Sequence, residues 1–577
     1  MAEVILSPGV FQIESDQSLY TQAPPALGAA IVGPTVKGRP FVPTYVTTYT
    51  QYLSLFGDVF KSGSYYYEYF TSQAAREYFQ NGGQSLLVTR IISGSANIST
   101  YAQANVTSGS VTQLVLETLA WGDQMNNTSS LSKGALASGS QYNVRWEVTN
   151  VNTGSNGGTF TLIIRRGDDN DAQKNILETW ANMSLDPQLP NYVSRVIGDL
   201  KPVADLTNGY VNFTGSFANA SQYVRVASVT TPNVDSIDNN GNFKTGSFAS
   251  TLPSVGSGSF GGSFAGGVAD TTFAKQMNEN IGNGSSPSNT NNIQGFSPAD
   301  YNNAFTLLAN KDEYRYNILM APGIGLDCSA ASTMISTVEG RGDAIAILGA
   351  GVYGTSITAA VTNASGQSSN YGAAYYPWVQ VYSSGLGKAV WVPPSTVIGG
   401  VLAFNDQVGA EWFAPAGLNR GGIPSVIRAE RRLQQTDRDT LYTGNVNPLA
   451  TFPGTGVVVW GQKTLQRKPT SLDRVNVRRL LIALKDYIGG VARNLVFEQN
   501  TTVTRNRFLS QVNPYLESVV QRQGLYAYKV IMDDTNNTPD VIDRNQLVGQ
   551  IYIQPTKTAE FIILNFNLTP TGATFPA

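Results

Sequence analysis

Over residues 65–80 the apolar positions recur at helical spacing, with Tyr67, Phe70, Ala74, Tyr78 and Phe79 on one face. Asn81-Gly82-Gly83 supplies a left-handed stop, and LLVTRII (86–92) has the composition of a strand. A helix, a turn and a strand on one core are expected. Residues 1–20 mix Val, Ile, Leu and Phe around Pro8-Gly9 and read as extended. From about 95 to 298 the pattern becomes short alternating runs (VTQLVLE, YNVRWEVTN, FTLIIRR, YVRVASV) separated by Gly, Asn and Ser, the signature of a β-rich unit. Its tail, 237–295, is dominated by Gly, Ser and Asn and is too poor in apolar residues for a core of its own.

At 298 helix and strand begin to alternate. RYNILMAP (315–322) predicts a strand, Asp327 can cap a helix carrying Ala331, Met334, Ile335 and Val338, and DAIAILG (343–349) predicts a second strand. That is a βαβ unit, which implies a parallel sheet. WVQVYS and KAVWVPP follow as strands, then an apolar segment, STVIGGVLAFNDQVG. After the strand GVVVW, two helices are expected: one over about 472–490 with Leu480, Leu481, Leu484 and Ile488, and one over about 503–523 with Phe508, Val512, Leu516 and Val519. Pro514 should kink the second and Gly524 should stop it. LYAYKVIMD, GQIYIQP and EFIILNF complete the chain as strands. The fold class is therefore multidomain α+β and α/β: an arm over 1–20, a first part of the core over 21–94, an inserted β-rich peripheral domain over 95–298, an α/β core over 299–455 and an α+β domain over 456–577.

Composition narrows the function. Charged residues make up 14% of the 577-residue chain, against about 25% in ordinary soluble domains, and such a surface favours self-association. A net charge of −2 lacks the basic footprint of a nucleic-acid binder, so no nucleic-acid partner is expected. Histidine is absent, which removes the commonest general base and metal ligand; the single cysteine, Cys328, rules out an intrachain disulfide and reads as a core or helix-start residue. No secretory leader and no apolar run of membrane-spanning length is found, so a soluble chain made in a cytoplasm, without membrane insertion, is expected.

The candidate chemistry is thin. Arg341-Gly342-Asp343 sits where a helix turns into a strand and reads as a turn. Gly323 and Gly325 follow a strand but lack a full dinucleotide or phosphate-loop pattern. Asp168, Asp169 and Asp171 lack a calcium-loop pattern and read as a solvated hairpin turn, while Asp437 and Asp439 read as ion-paired with Arg438 and Arg432. No catalytic residue, cofactor or metal is assigned. A stronger signal lies in 421–500, where twelve Arg and Lys face six Asp and Glu. Arg474, Arg478 and Arg479 fall near one helix face, either a solvated surface or a docking face for an acidic partner. Residues 2–13 and 560–568 are strand-like and sit at opposite ends of the chain, so they pair within it or add to a neighbour's sheet. The loop AEWFAPAGLNRGG, ending at Gly422, carries Trp412, Phe413 and Pro415 as packing anchors, Gly417, Gly421 and Gly422 at turn positions, and Arg420 as a residue able to reach a neighbouring subunit.

Ten stretches together resemble the tail sheath proteins of contractile-tailed bacteriophages: YFQNGGQSLLVTRI (78–91), EGRGDAIAILG (339–349), YYPWVQV (375–381), VWVPPSTVIGGVLAFND (390–406), APAGLNRGG (414–422), LYTGNVNPLATFPGTGVVVWGQKTL (441–465), DRVNVRRLLI (473–482), LVFEQN (495–500), DDTNNTPDVIDRNQLVGQIYIQP (533–555) and AEFIILNF (559–566). The end of the chain is most similar to T-even-type sheaths. The resemblance covers roughly 1–95 and 300–577, not 95–298.

It implies a non-enzymatic subunit of the virion, assembled in the host cytoplasm as stacked hexameric rings in a helical sheath. Its implied partners are other copies of itself, the tail tube protein, and baseplate and tail terminator proteins. The C-terminal region would form the inner layer and the insertion would face outward. Terminal strands would be exchanged between neighbours, with Val4, Ile5 and Phe11 at one end and Phe561, Ile562, Ile563 and Leu564 at the other. Arg420, Arg474, Arg478 and Arg479 would be subunit or tube contacts. The alternatives are the sheath of a phage-derived injection particle, a hydrolase on the α/β core, or an adhesin using the insertion.

Overall fold

The computed structural model describes residues 28–62, 65–94, 98–127, 131–132, 134–153, 158–230, 240, 252–268 and 294–563. At its centre is an eight-stranded sheet in the order Thr44–Val46, Leu86–Arg90, Ala29–Gly33, Ile318–Gly325, Ile345–Gly349, Gly372–Tyr376, Val446–Phe452, Gly456–Val459. The six inner strands run parallel, for example with Ala29 opposite both Leu86 and Ile318, and Ile318 opposite Ile345. The two outermost pairings are antiparallel. The expected βαβ unit is present. Such strands are covered on both faces and therefore read as unbroken apolar runs, as AAIVG and IAILG do.

One face buries Ala30, Val32, Leu319, Ala346 and Leu348 against the helices Pro298–Leu308 and Ala330–Arg341. The other buries Ile31, Val88, Ile318, Met320 and Ile347 against the helices Phe70–Gln80 and Pro394–Val408. The latter helix is the apolar segment that sequence left unassigned. Its Gly399 and Gly400 allow the close approach: a Cβ on Gly399 would lie 2.2 Å from Met320 Sδ, and one on Gly400 2.8 Å from the Glu77 carbonyl oxygen.

Two local expectations are corrected. The helix placed over 65–80 starts at Phe70, because Tyr65–Glu68 pairs with Val59–Ser62 as a hairpin. Asp327 is not a cap; Ser329 holds that position before the helix Ala330–Arg341. Pro514 lies inside one assigned helix, Thr502–Gln521.

Residues 103–229 form antiparallel sheets, among them Val144–Asn152 with Thr159–Arg166 and Ile176–Met183, over a core holding Trp146, Leu162 and Ile164. The Gly-rich stretch expected to be long loops is different in its described part. Leu252 and Phe264 are in that core. The Trp146 amide donates to Gly262 at 3.0 Å and the Val148 amide to Gly256 at 2.9 Å, so 252–268 seals a sheet edge.

Candidate assembly surfaces of the C-terminal region

The helices Val475–Arg493 and Thr502–Gln521 bury Leu480, Leu484, Phe508, Val512, Leu516 and Val519 in one cluster with Trp412. Trp412 ties this cluster to the central sheet: its Nε1 donates to the Arg522 carbonyl at 3.0 Å, and Asn476 Nδ2 donates to its own carbonyl at 3.3 Å. The Trp of AEWFAPAGLNRGG is thus a packing anchor, and Gly417, at φ 82°, is a turn position. Arg420 is half-buried, stacked over Phe413 at 4.9 Å with its Nε donating to the Ala414 carbonyl at 3.3 Å.

Against these helices leans a hairpin of Leu525–Ile531 and Gln550–Pro555, with Ile531 opposite Gln550 and Leu525 opposite Pro555. Tyr528, Val530, Ile551 and Ile553 face the helices, while Tyr526 and Tyr552 point to solvent. Among the described residues neither strand pairs with a third. A two-stranded ribbon is marginal in water, and its two outer rows of N–H and C=O groups are open for pairing.

The last predicted strand is not formed in its described part: 556–563 carries no regular structure. Glu560 turns inward, whereas Phe561, Ile562 and Ile563 are 77%, 78% and 83% exposed. Val4, Ile5, Phe11 and Leu564 lie outside the described residues.

The arginines correct the solvated-face expectation, because the first turns of Val475–Arg493 are wedged against the central domain. Arg479 is buried and forms a two-pronged pair with Asp406 at 2.8 and 2.5 Å. Burial opposes its charge, but the Asp406 carboxylate outweighs it and raises its pKa. Arg478 is buried over the Tyr371 ring at 4.2 Å and donates to Asn370 Oδ1 at 2.8 Å; burial lowers its pKa. Arg474, a quarter exposed, pairs with Glu560 at 2.8 Å. Sequence missed these partners because Asp406 is 73 residues from Arg479 and Glu560 is 86 from Arg474.

The remaining candidate residues are placed as follows among the described residues. The hairpin turn is solvated at Asp168 and Asp171 as expected, but Asp169 is buried beneath Arg165 and Arg145 at 2.8 and 3.2 Å, with Glu147 and Lys174 completing the network. Asp437 is engaged in the capping box of the helix Gln435–Thr443, not in the expected ion pairs with Arg432 and Arg438; Arg438 lies over Phe452. Arg341 is buried and bonded to Asp343 and to the Leu308 and Tyr314 carbonyls. Among the described residues no group of three His, Cys, Asp or Glu side chains could hold a metal, and no helix is long and apolar enough to cross a membrane.

Parallel sheets usually bind ligands beyond the strand ends where the order reverses, here between Ala29–Gly33 and Ile318–Gly325. The chain fills that crevice itself. A Cβ on Gly33 would lie 2.2 Å from Thr71 Oγ1, and Gln294 bridges the Phe70 amide and the Pro322 carbonyl at 2.9 and 3.1 Å.

Residues 294–465 match the family described as phage tail sheath protein central domain, and 467–569 match the phage tail sheath C-terminal domain. The tail sheath proteins of Vibrio phage KVP40 and Enterobacteria phage T4 are each 43% identical over 185 residues, 32% of this chain. That stretch spans 28% of each relative's length. Among solved structures, the sheath tail protein Lin1278 from Listeria innocua superimposes with a TM-score of 0.52 over 92% of this chain and 95% of its own, at 10% identity, a likeness of fold. A segment matching a phage tail sheath central domain is thus followed directly by one matching a phage tail sheath C-terminal domain, in a chain whose fold resembles that of a solved sheath tail protein.

Proposed function

We propose that this chain is the subunit of a contractile phage tail sheath, which encloses the tail tube as stacked six-fold rings and shortens to drive the tube through the host envelope. The observation that carries the reading is the succession of two sheath domains ending in a hairpin with open edges and an exposed apolar tail. Residues 467–569 form the inner layer, the inserted unit faces outward, and the chain ends add to neighbouring hairpins by strand pairing. About six such bonds, at roughly 0.5–1.5 kcal/mol net each, give several kcal/mol per contact. The subunit is a virion component without enzymatic activity. Its partners are its own copies, the tube, the baseplate and the tail terminator.

The work comes from repacking. The extended lattice is held by a kinetic barrier, and release lets subunits settle into a lower-energy contracted lattice. About 1 kcal/mol per subunit suffices when many switch together. Electron microscopy of the purified protein tests this: rings, tubes or polysheath are expected, and a monodisperse globule at high concentration would overturn it. Deletion of 1–13 or of 560–577 should abolish tubes; intact tubes from either deletion would refute strand exchange.

A further inference from the structure

Residues 556–561 leave the hairpin as a strap that crosses back to the central domain, with cavities of about 320 and 630 Å³ on either side of it. Three elements converge on Glu560 there. Arg474 Nε, at the start of the helix Val475–Arg493, donates to Oε1 at 2.8 Å. Gln462 Nε2, just past the strand Gly456–Val459, donates to Oε1 at 3.0 Å and to Thr558 Oγ1 at 2.6 Å. The Tyr442 hydroxyl, from the helix Gln435–Thr443, donates to Oε2 in a short bond. Lys463 caps the Tyr442 ring at 4.3 Å, and Asp473, paired with Arg474 at 2.9 Å, is the neighbouring anion. Burial would raise the Glu560 carboxyl, but the bonds from Arg474, Tyr442 and Gln462 outweigh it and hold it below its ordinary value.

We propose that Tyr442, Gln462 and Arg474 form a carboxylate site occupied by the chain's own Glu560, which roots the C-terminal tail on the central domain. Beyond this point the chain is exposed at once, at Phe561, Ile562 and Ile563. A pull on the tail is then carried by the central domain. Without the clamp it would fall on the Gln550–Pro555 strand, which is paired on one side only and would peel bond by bond. The clamp belongs to the free subunit; its mechanical use rests on the tail being a contact element, as proposed above.

Lys557 is exposed immediately before the clamp, so trypsin reads its opening in the full-length free subunit. Glu560→Gln should speed cleavage after Lys557 about tenfold or more, the value of a lost charge-assisted hydrogen bond. Cleavage after the exposed Arg544 should be unchanged. Tyr442→Phe, which keeps the ring, should give a smaller increase and serves if Glu560→Gln does not fold. An unchanged rate after Lys557, or an equal rise after Arg544, overturns the clamp. If the clamp opens yet Glu560→Gln tubes withstand shear and contract like wild type, the anchoring role is overturned. Failure of the wild type to form tubes would sink the sheath reading and leave the proteolysis result standing.

Discussion

Arg479 and Glu560 show how charge is used in a chain that carries little of it. Arg479 is buried and Glu560 half-buried, each with a partner far away in sequence, so removing one side leaves the other charge without its partner. Arg479→Ala should cost about 3–5 kcal/mol in chemical denaturation, because Asp406 is left unpaired. Glu560 has a depressed carboxyl, so its contribution is complete above about pH 4.3, the ordinary value for Glu, and is lost as pH falls through the lower folded value. The stability gap between wild type and Glu560→Gln should therefore shrink on acidification below about pH 4, measured by denaturation across pH. These residues were visible in the sequence as a local excess of basic side chains. Their burial was not, since nothing near Arg479 or Arg474 along the chain signals Asp406 or Glu560.

Among the elements, legibility followed periodicity. The strands Ile318–Gly325 and Ile345–Gly349 and the two C-terminal helices announced themselves, because ILMAP and IAILG are apolar runs and Leu480, Leu484, Phe508 and Val512 keep helical spacing, whereas the central strand AAIVG went unread. The helix Pro394–Val408 did not, because Gly399 and Gly400 lower its propensity and its buried surface wraps around it. Those glycines serve contact. Gly400→Ala gains about 1 kcal/mol of helix propensity, but its Cβ meets the backbone of Phe70–Gln80 at 2.8 Å. Thermal melting should show a net loss of about 1–3 kcal/mol, from overpacking that backbone cannot relieve. The segment 252–268 failed for the opposite reason: its composition is that of a loop, but its order comes from backbone bonds to Trp146 and Val148, which composition does not encode.

For the whole chain, the inserted β-rich unit leaves and re-enters the core at one place: the Gly94 amide donates to Asp300 at 2.9 Å, and Gln294 lies against Phe70. Replacing 98–293 with a short Gly/Ser linker should leave a folded protein. It should be less stable, because Arg90 loses its bond to the Trp121 carbonyl and Val59 its bond from Tyr142. Circular dichroism and melting check this, and an unfolded product would show that the insertion completes the core. Tube formation by the same variant checks the outward placement.

The ties of Trp412 to Arg522, Arg479 to Asp406 and Glu560 to Tyr442 and Gln462 join the central domain to the C-terminal helices and tail at three points. A body pinned at three points has no hinge axis left. In the proposed sheath such a subunit would act as a brick in a wall that changes height, and the geometry of shortening would be written in the mortar: the chain ends and the faces between copies. Substitutions that alter how far or how fast such a wall collapses should map to those seams, while substitutions inside the brick should change only whether it survives.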